Sequence, residues 1–518
     1  MKNRFLLIAC LVTASLLCIT TAGARELRVA YATGPATLDI HEQLSHGVLQ
    51  FSHLSFDPLI RWTRELEFEP RLATSWQRLN TSTVRFNLRN GVRFHSGNPV
   101  TAQDFKWTFD RLKNSPDFNS VFDDFEALRV IDDYTIDLVT TKPYPLLLHA
   151  ATYIFPMDRK FYSGSDASGN DKGAIVKNGN SFASTNVSGT GPFRVVSREP
   201  DGSMVFERFT DYWDIDSPGN IDRIVFTPIR NEQARVTALL SGDVDFIAPV
   251  SPDSFAQIRA SGDAELVTRP GTRIIILQMN QDRRDEFRDQ RVRMAIVHAI
   301  DNEAIVRKIM KGFATTAAQM SPKGYLGHNP SLRPRYNLEL AKQLMKDAGY
   351  EDGFSVTMMA PEDRYVNDRK IAQSIAAMLA RINITVDLQT MPRAEYWPAF
   401  DDRAADIMMI GWHSDTEDSA NFFEFLAMTP DPNTGMGTYN SGNYSNEYVD
   451  RNTLMANEET DIEKRKNMLQ AIETKLFQDA AFVPLHWQNL AWAVRKGVDI
   501  DPVVNALDLP YLGDLVIR

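Results

Sequence analysis

The chain has 518 residues, more than one hydrophobic core usually supports, so about three modules are expected. Hydrophobic residues make up 43% and charged residues 24%, which excludes a largely disordered chain. The formal charge of −11, with no long Lys/Arg run, argues against a nucleic-acid partner, because that affinity rests on neutralising phosphates.

The first 24 residues read as an export signal. Lys2 and Arg4 precede an apolar run from Phe5 to Ile19, and Ala22-Gly23-Ala24 supplies a small-residue cleavage site. Both cysteines, Cys10 and Cys18, fall inside this segment, so a mature chain starting at Arg25 contains none. The apolar run is too short to span a bilayer, and no later segment approaches the ~20 apolar residues that a spanning helix needs. A soluble periplasmic protein is therefore expected.

The first mature stretch mixes strands with turns. Alternation and β-branched content predict strands at 27–32, 83–89, 134–140, 193–197, 203–209 and 221–229. Helices are predicted over 102–112, capped by Thr101, and over 232–240, stopped by Ser241-Gly242. The Ser/Gly/Asn/Asp-rich segment 163–191 reads as surface loop. From about Gly271 a strand (273–279) leads into two helices divided at Asp301, the second ending at Gly312. A repeating unit follows: helix 338–348 between Asn337 and Gly349, strand 354–360, helix 368–382, strand 384–390, helix 395–403, strand 406–412. Alternating strands and helices predict right-handed crossovers and a mostly parallel sheet.

Open α/β sheets bind ligands beyond the carboxyl ends of their strands, which directs attention to Arg364 after strand 354–360 and Asp415 after strand 406–412. Opposite charges on one rim either clamp a zwitterion or pair with each other. Aromatic residues gather near the same rim: Tyr365, Tyr396, Trp397, Trp412, Tyr439, Tyr444 and Trp487. Tyr and Trp bury large area while keeping a polar tip, which suits a ligand with apolar parts. No HExxH, GxSxG or Walker loop is present, and SGTGPF (188–193) reads as a turn between strands rather than a phosphate cradle. His41, His46 and His53 lie near one another, but spacings of five and seven do not stack on one helix face, so no metal and no cofactor are expected.

Several segments together resemble the solute-binding proteins of the peptide/nickel class (family 5) of ABC importers. They are LATSWQRLNTSTVRFNLRNGVRFHSGNPVTAQDFKWTFDRL (72–112), GTGPFRV (189–195), ARVTALLSGDVDF (234–246), RVRMAIVHAIDNEAIV (291–306), YNLELAKQLMKDAGY (336–350) and NYSNEYVD (443–450) followed by EKRKNMLQAIETKLFQDAAFVPLHW (463–487). The resemblance implies an α/β, two-lobed periplasmic-binding-protein fold of type II, with an extra subdomain in the first lobe. It divides the chain into signal peptide 1–24, first lobe 25–270, second lobe 271–487 and a C-terminal return 488–518, with hinges near Gly271–Arg273 and Trp487–Asn489. It also implies a monomer that is not an enzyme and that hands a small peptide to an ABC permease in the inner membrane. Peptide binders of this class use an aspartate after a Gly-Trp strand end to hold the α-amine. GWHSDTEDSANFF (411–423) resembles that segment, which gives the role to Asp415 with Trp412 and His413 beside it. DRYVND (363–368) is similar to the class's carboxylate-binding stretch, but without its proline, and gives that role to Arg364 beside Tyr365. Trp397 and Tyr439 complete the expected ligand-binding set. Other solutes of the class remain open as alternatives: a metal chelate, an opine-like compound or an oligosaccharide. A hydrolase using Asp415 and Asp418 as a carboxylate pair is a third reading.

Overall fold

The computed structural model describes residues 24–177 and 179–518; residues 1–23 of the expected export signal, including Cys10 and Cys18, lie outside them. Two sheets organise the chain. The larger runs in the order 384–391, 354–361, 407–412, 264–279, 482–495, 246–248, 26–31, 223–226, 204–208, 193–198, with a short strand 314–316 added to 482–495. The smaller is an antiparallel sheet of strands 73–80, 83–88, 135–140 and 125–132.

The predicted elements are present with shifts of a few residues. The helix Ala102–Leu112 is fixed by a capping box in which the Asp104 carboxylate accepts from the Thr101 amide at 2.9 Å. Its Phe105, Phe109 and Leu112 bury against Val84, Phe86, Ile136 and Leu138 of the smaller sheet. The helix Glu232–Ser241 ends on Gly242 at φ 84°, the left-handed turn that glycine adopts without strain. Beyond Asp301 the chain makes one helical turn and then a π-helix, Ile305–Ile309, rather than the single α-helix expected.

The expected mostly parallel sheet requires correction. Strand 354–361 does pair in parallel with both 384–391 and 407–412, because intervening helices carry the chain back each time. Strand 407–412, however, meets 264–279 antiparallel, and 264–279 meets 482–495 antiparallel, so the large sheet is mixed. Helices cover both faces of its 271–487 portion. Ile275, Leu277 and Met279 enter one core with Ile407 and Met409; Ile274 and Ile276 enter the other with Met408 and Ile410. Burial on both faces explains the unbroken apolar runs, where a half-exposed sheet would alternate.

Strands 264–279 and 482–495 pair along nearly their whole length, from Ala264 with Arg495 to Gln278 with Phe482. Their ladder shifts register twice, between Arg269 and Arg273 and again between Ile275 and Ile276; the first, wider shift is the break in the middle of the pair. On one side of the break the pair adjoins strand 246–248, which pairs in turn with 26–31; on the other it adjoins 407–412. The C-terminal segment returns to the first side, where Val498, Ile500, Val503, Leu512 and Leu515 pack with Leu27, Val29 and Ile224. Gly271 sits in the break, and a side chain there would drive its Cβ into the carbonyl oxygen of Gln488. Backbone cannot give way cheaply, so Gly271→Ala is expected to destabilise the protein by about 1–3 kcal/mol in urea unfolding.

Candidate functional site

The carboxyl ends of the parallel strands and the break in the crossing pair open onto one cavity of about 990 Å³. All seven predicted site residues, Arg364, Tyr365, Trp397, Trp412, His413, Asp415 and Tyr439, line it. The opposite wall comes from the first half and the C-terminal segment, including Ser45, Val250, Ser251, Leu507 and Asp508.

Local packing sets each of these residues in place. Tyr365 is buried, donates to the Gly411 carbonyl at 3.2 Å and lies flat enough against Gly411 that a Cβ would meet its ring at 2.5 Å. The glycine of the Gly-Trp strand end thus makes room for the tyrosine. The carboxylate of Asp368 accepts the backbone N–H groups of Arg364 and Tyr365, each at 2.9 Å, and so folds the loop that carries Arg364. The Trp412 indole donates to Asn421 at 2.8 Å, and its ring centroid lies 4.7 Å from that of Tyr439. His413 bonds Thr272 Oγ1 through Nδ1 at 2.8 Å and Glu417 through Nε2 at 3.0 Å, and Tyr325 donates to the same Glu417 carboxylate.

Asp415 and Arg364 share the cavity but form no ion pair with each other among the described residues. The Asp415 carboxylate accepts no hydrogen bond there either; only its backbone carbonyl is engaged, by the Tyr153 hydroxyl at 2.5 Å. Burial raises its pKa above the ordinary aspartate value, with Glu417 adding to the rise and His413 and Arg273 opposing it.

Several charged cavity residues escaped the sequence reading, Arg273 and Asp508 among them. Arg273 stands just past the ladder break, named from sequence only as a hinge position. Burial and then the neighbouring charge of Arg364 lower its pKa to about 10. Asp508, at φ 58° in the C-terminal segment, is pushed up to about 6 by burial despite the Trp492 indole hydrogen bond at 3.2 Å. An arginine heading an otherwise apolar strand was the available signal for the first. Nothing local marks Asp508, because the return of the C-terminus brings it in.

Several expectations move elsewhere. Tyr396, Tyr444 and Trp487 are core residues, donating to the Met409 carbonyl, Asp479 and the Met320 carbonyl. Asp418 lies outside the cavity lining. It caps helix Ser419–Leu426 and makes a buried two-pronged pair with Arg465 at 2.6 and 2.7 Å, so it cannot serve beside Asp415 as a hydrolytic partner. His41 is buried beside Arg111, and His53 packs edge-on to Phe155 and Tyr511; burial lowers both to about 3. The side chain of His46 is outside the described residues.

A family model described as "Bacterial extracellular solute-binding proteins, family 5 Middle" matches residues 67–433. The chain is 27% identical over 387 residues to the dipeptide-binding protein of Escherichia coli strain K12, covering 70% of each. It is 24% identical over 430 residues to the glutathione-binding protein GsiB of Salmonella paratyphi A, covering 80% of each. Among solved structures, the Helicobacter pylori periplasmic binding protein DppA in complex with the peptide STSA has the same fold, with a TM-score of 0.76 at 22% identity. That match covers 95% of this chain and 98% of the other.

The Asp418–Arg465 pair anchors the far end of the loop that presents His413 and Asp415. Burial works against the Asp418 charge, but the Arg465 charge and its hydrogen bonds outweigh it and hold the pKa below the usual carboxylate range. A depressed folded value means that the pair's stabilisation is present above the unfolded pKa near 4 and is lost as pH falls through the lower folded value. Removing the carboxylate strands a buried guanidinium, so Asp418→Asn is expected to cost about 3–5 kcal/mol at pH 7, read as a lower thermal midpoint.

Proposed function

This chain belongs to the bacterial extracellular solute-binding proteins of family 5, the binding components of ABC importers, and we propose that it captures short peptides in this cavity in the periplasm and delivers them to a permease in the inner membrane. One juxtaposition supports the reading. A mostly buried carboxylate, Asp415, and two guanidiniums, Arg273 and Arg364, line a single cavity, and none of the three is in an ion pair among the described residues. Burying a peptide's α-amine or α-carboxylate costs several kcal/mol unless an opposite charge and hydrogen bonds replace its water. A cavity that supplies both signs meets both costs.

In this scheme Asp415 takes the amine. Arg273 and Arg364, whose charges repel, take the carboxylate, which relieves that repulsion. The remaining space accommodates side chains through aromatic faces and water, so that many sequences can bind. The relatives described as dipeptide- and glutathione-binding are consistent with a ligand of this size. In the same reading the hinge lies near Gly271–Arg273, at the ladder break, and again near Trp487–Asn489, and closure depends on the ligand touching both halves, since equal contact with open and closed forms shifts nothing.

The test is calorimetry on the exported chain against a library of di- to tetrapeptides. Asp415→Ala is expected to weaken binding by about 2–5 kcal/mol; unchanged affinity would remove Asp415 from the site. Because burial raises the Asp415 pKa, the carboxylate protonates at a higher pH than an ordinary aspartate. Affinity is therefore expected to fall as pH drops through the acid range, with Asp508 at about 6 contributing, and Asp415→Asn to remove the part of that fall that Asp415 carries.

A further inference from the structure

The charges lining the cavity do not balance. Five carboxylates contribute, from Glu232, Asp363, Asp401, Asp415 and Asp508, and none is in an ion pair among the described residues. Against them stand Arg273 and Arg364, while His413 is occupied by Thr272 and Glu417. A peptide carrying one amine and one carboxylate leaves this negative surplus in place.

Three of the five have other engagements. Glu232 accepts from the Ser251 amide and from the hydroxyls of Ser251 and Ser254. Asp363 accepts the Arg393 backbone N–H at 2.7 Å, which starts the next helix, and Asp508 accepts the Trp492 indole. The carboxylates of Asp401 and Asp415 accept no hydrogen bond among the described residues. Asp415 is the proposed amine site; Asp401 has no assigned task.

Its position is informative. Asp401 is the last residue of helix Arg393–Asp401, where the helix dipole favours a cation and disfavours an anion, so the acid does not stabilise its own helix. Trp397 lies four residues earlier, on the same face, and also lines the cavity. Tyr439 lines the same cavity within electrostatic reach of both Asp401 and Asp415, and Trp412 packs against the Tyr439 ring. The Tyr439 hydroxyl and the Trp397 indole N–H make no hydrogen bond among the described residues. Aromatic faces beside a free carboxylate are the chemistry that holds an ammonium or guanidinium group.

We infer that Trp397, Asp401, Trp412 and Tyr439 form a subsite for a cationic side chain next to the proposed amine site, so that the preferred peptides begin with Lys or Arg. The inference rests on the peptide reading above and goes further by naming the side-chain class. A lysine or arginine in the first position carries its second positive charge on a flexible stem that spans from an amine at Asp415 toward Asp401.

The test is calorimetry on the exported chain with alanine-based di-, tri- and tetrapeptides beginning with Lys, Arg, Ala or Glu, at low and at physiological salt. Peptides beginning with Lys or Arg are expected to bind at least about tenfold more tightly than those beginning with Ala, with the margin shrinking as salt rises. Asp401→Asn is expected to reduce that ratio to below about threefold, and Asp401→Glu to retain most of it. Asp401 is exposed, so both variants are expected to fold, and an unchanged thermal midpoint checks this. Equal affinities across the four first residues, or an undiminished ratio in Asp401→Asn, would overturn the subsite while leaving peptide binding intact. Failure of every peptide to bind would overturn the peptide reading and the subsite together.

Discussion

The architecture depends on one antiparallel ladder. Strands 264–279 and 482–495 stay hydrogen-bonded through both halves of the molecule, and the wider of their two register shifts, at 270–272, is where the structure changes sides. Backbone N–H and C=O groups must be paired when buried, so a chain that crosses between two bodies is most stable if it crosses as a ladder. The break then concentrates three consequences in a few residues. Gly271 permits the close approach of Gln488, Thr272 orients His413, and Arg273 is the first side chain beyond the shift and lines the cavity. The proposed hinge and the floor of the site are the same stretch of backbone.

The presentation of Asp415 is rigid for reasons that lie outside the cavity. The loop after Trp412 is held by Ser414 and Asp418 bonded to each other, by Asp418 paired with Arg465, and by Glu417 accepting from Tyr325 while bonding His413. Such support would hold Asp415, the proposed amine site, in position before a ligand arrives and lower the ordering cost of binding. Tyr153, from the first half, donates to the Asp415 carbonyl and so ties the opposing body to the same loop.

Local patterns made much of this legible. The repeating strand–helix unit at 338–412, the caps at Thr101 and Asn337 and the glycine stop at Gly242 follow directly from periodicity and side-chain chemistry. Charged residues placed just past strand ends lead to Arg364 and Asp415, which do meet in one cavity. What stayed hidden depends on long-range contacts. The antiparallel crossing pair joins segments over 200 residues apart, and no local signal reports its register. Asp508 enters the cavity only because the C-terminus folds back. Sequence proximity to the rim likewise could not separate the lining aromatics from Tyr396, Tyr444 and Trp487, since each serves a buried polar partner visible only in three dimensions.

Charge placement separates structural acids from those proposed to meet a ligand. Asp418 and Asp368 are as acidic in sequence as Asp415 and Asp401, yet the first two spend their oxygens on Arg465 and on backbone amides. A buried or half-buried carboxylate without such partners is a standing cost to the fold, because desolvation penalises its charged form. Asp401 adds the wrong sign at a helix end. Arg273 carries the reciprocal cost, with burial and Arg364 both opposing its charge. A protein that retains both signs of unpartnered charge in one cavity holds interaction energy that only a ligand bearing complementary charges can recover. In the proposed scheme that recovered energy favours the liganded, closed form over an empty one.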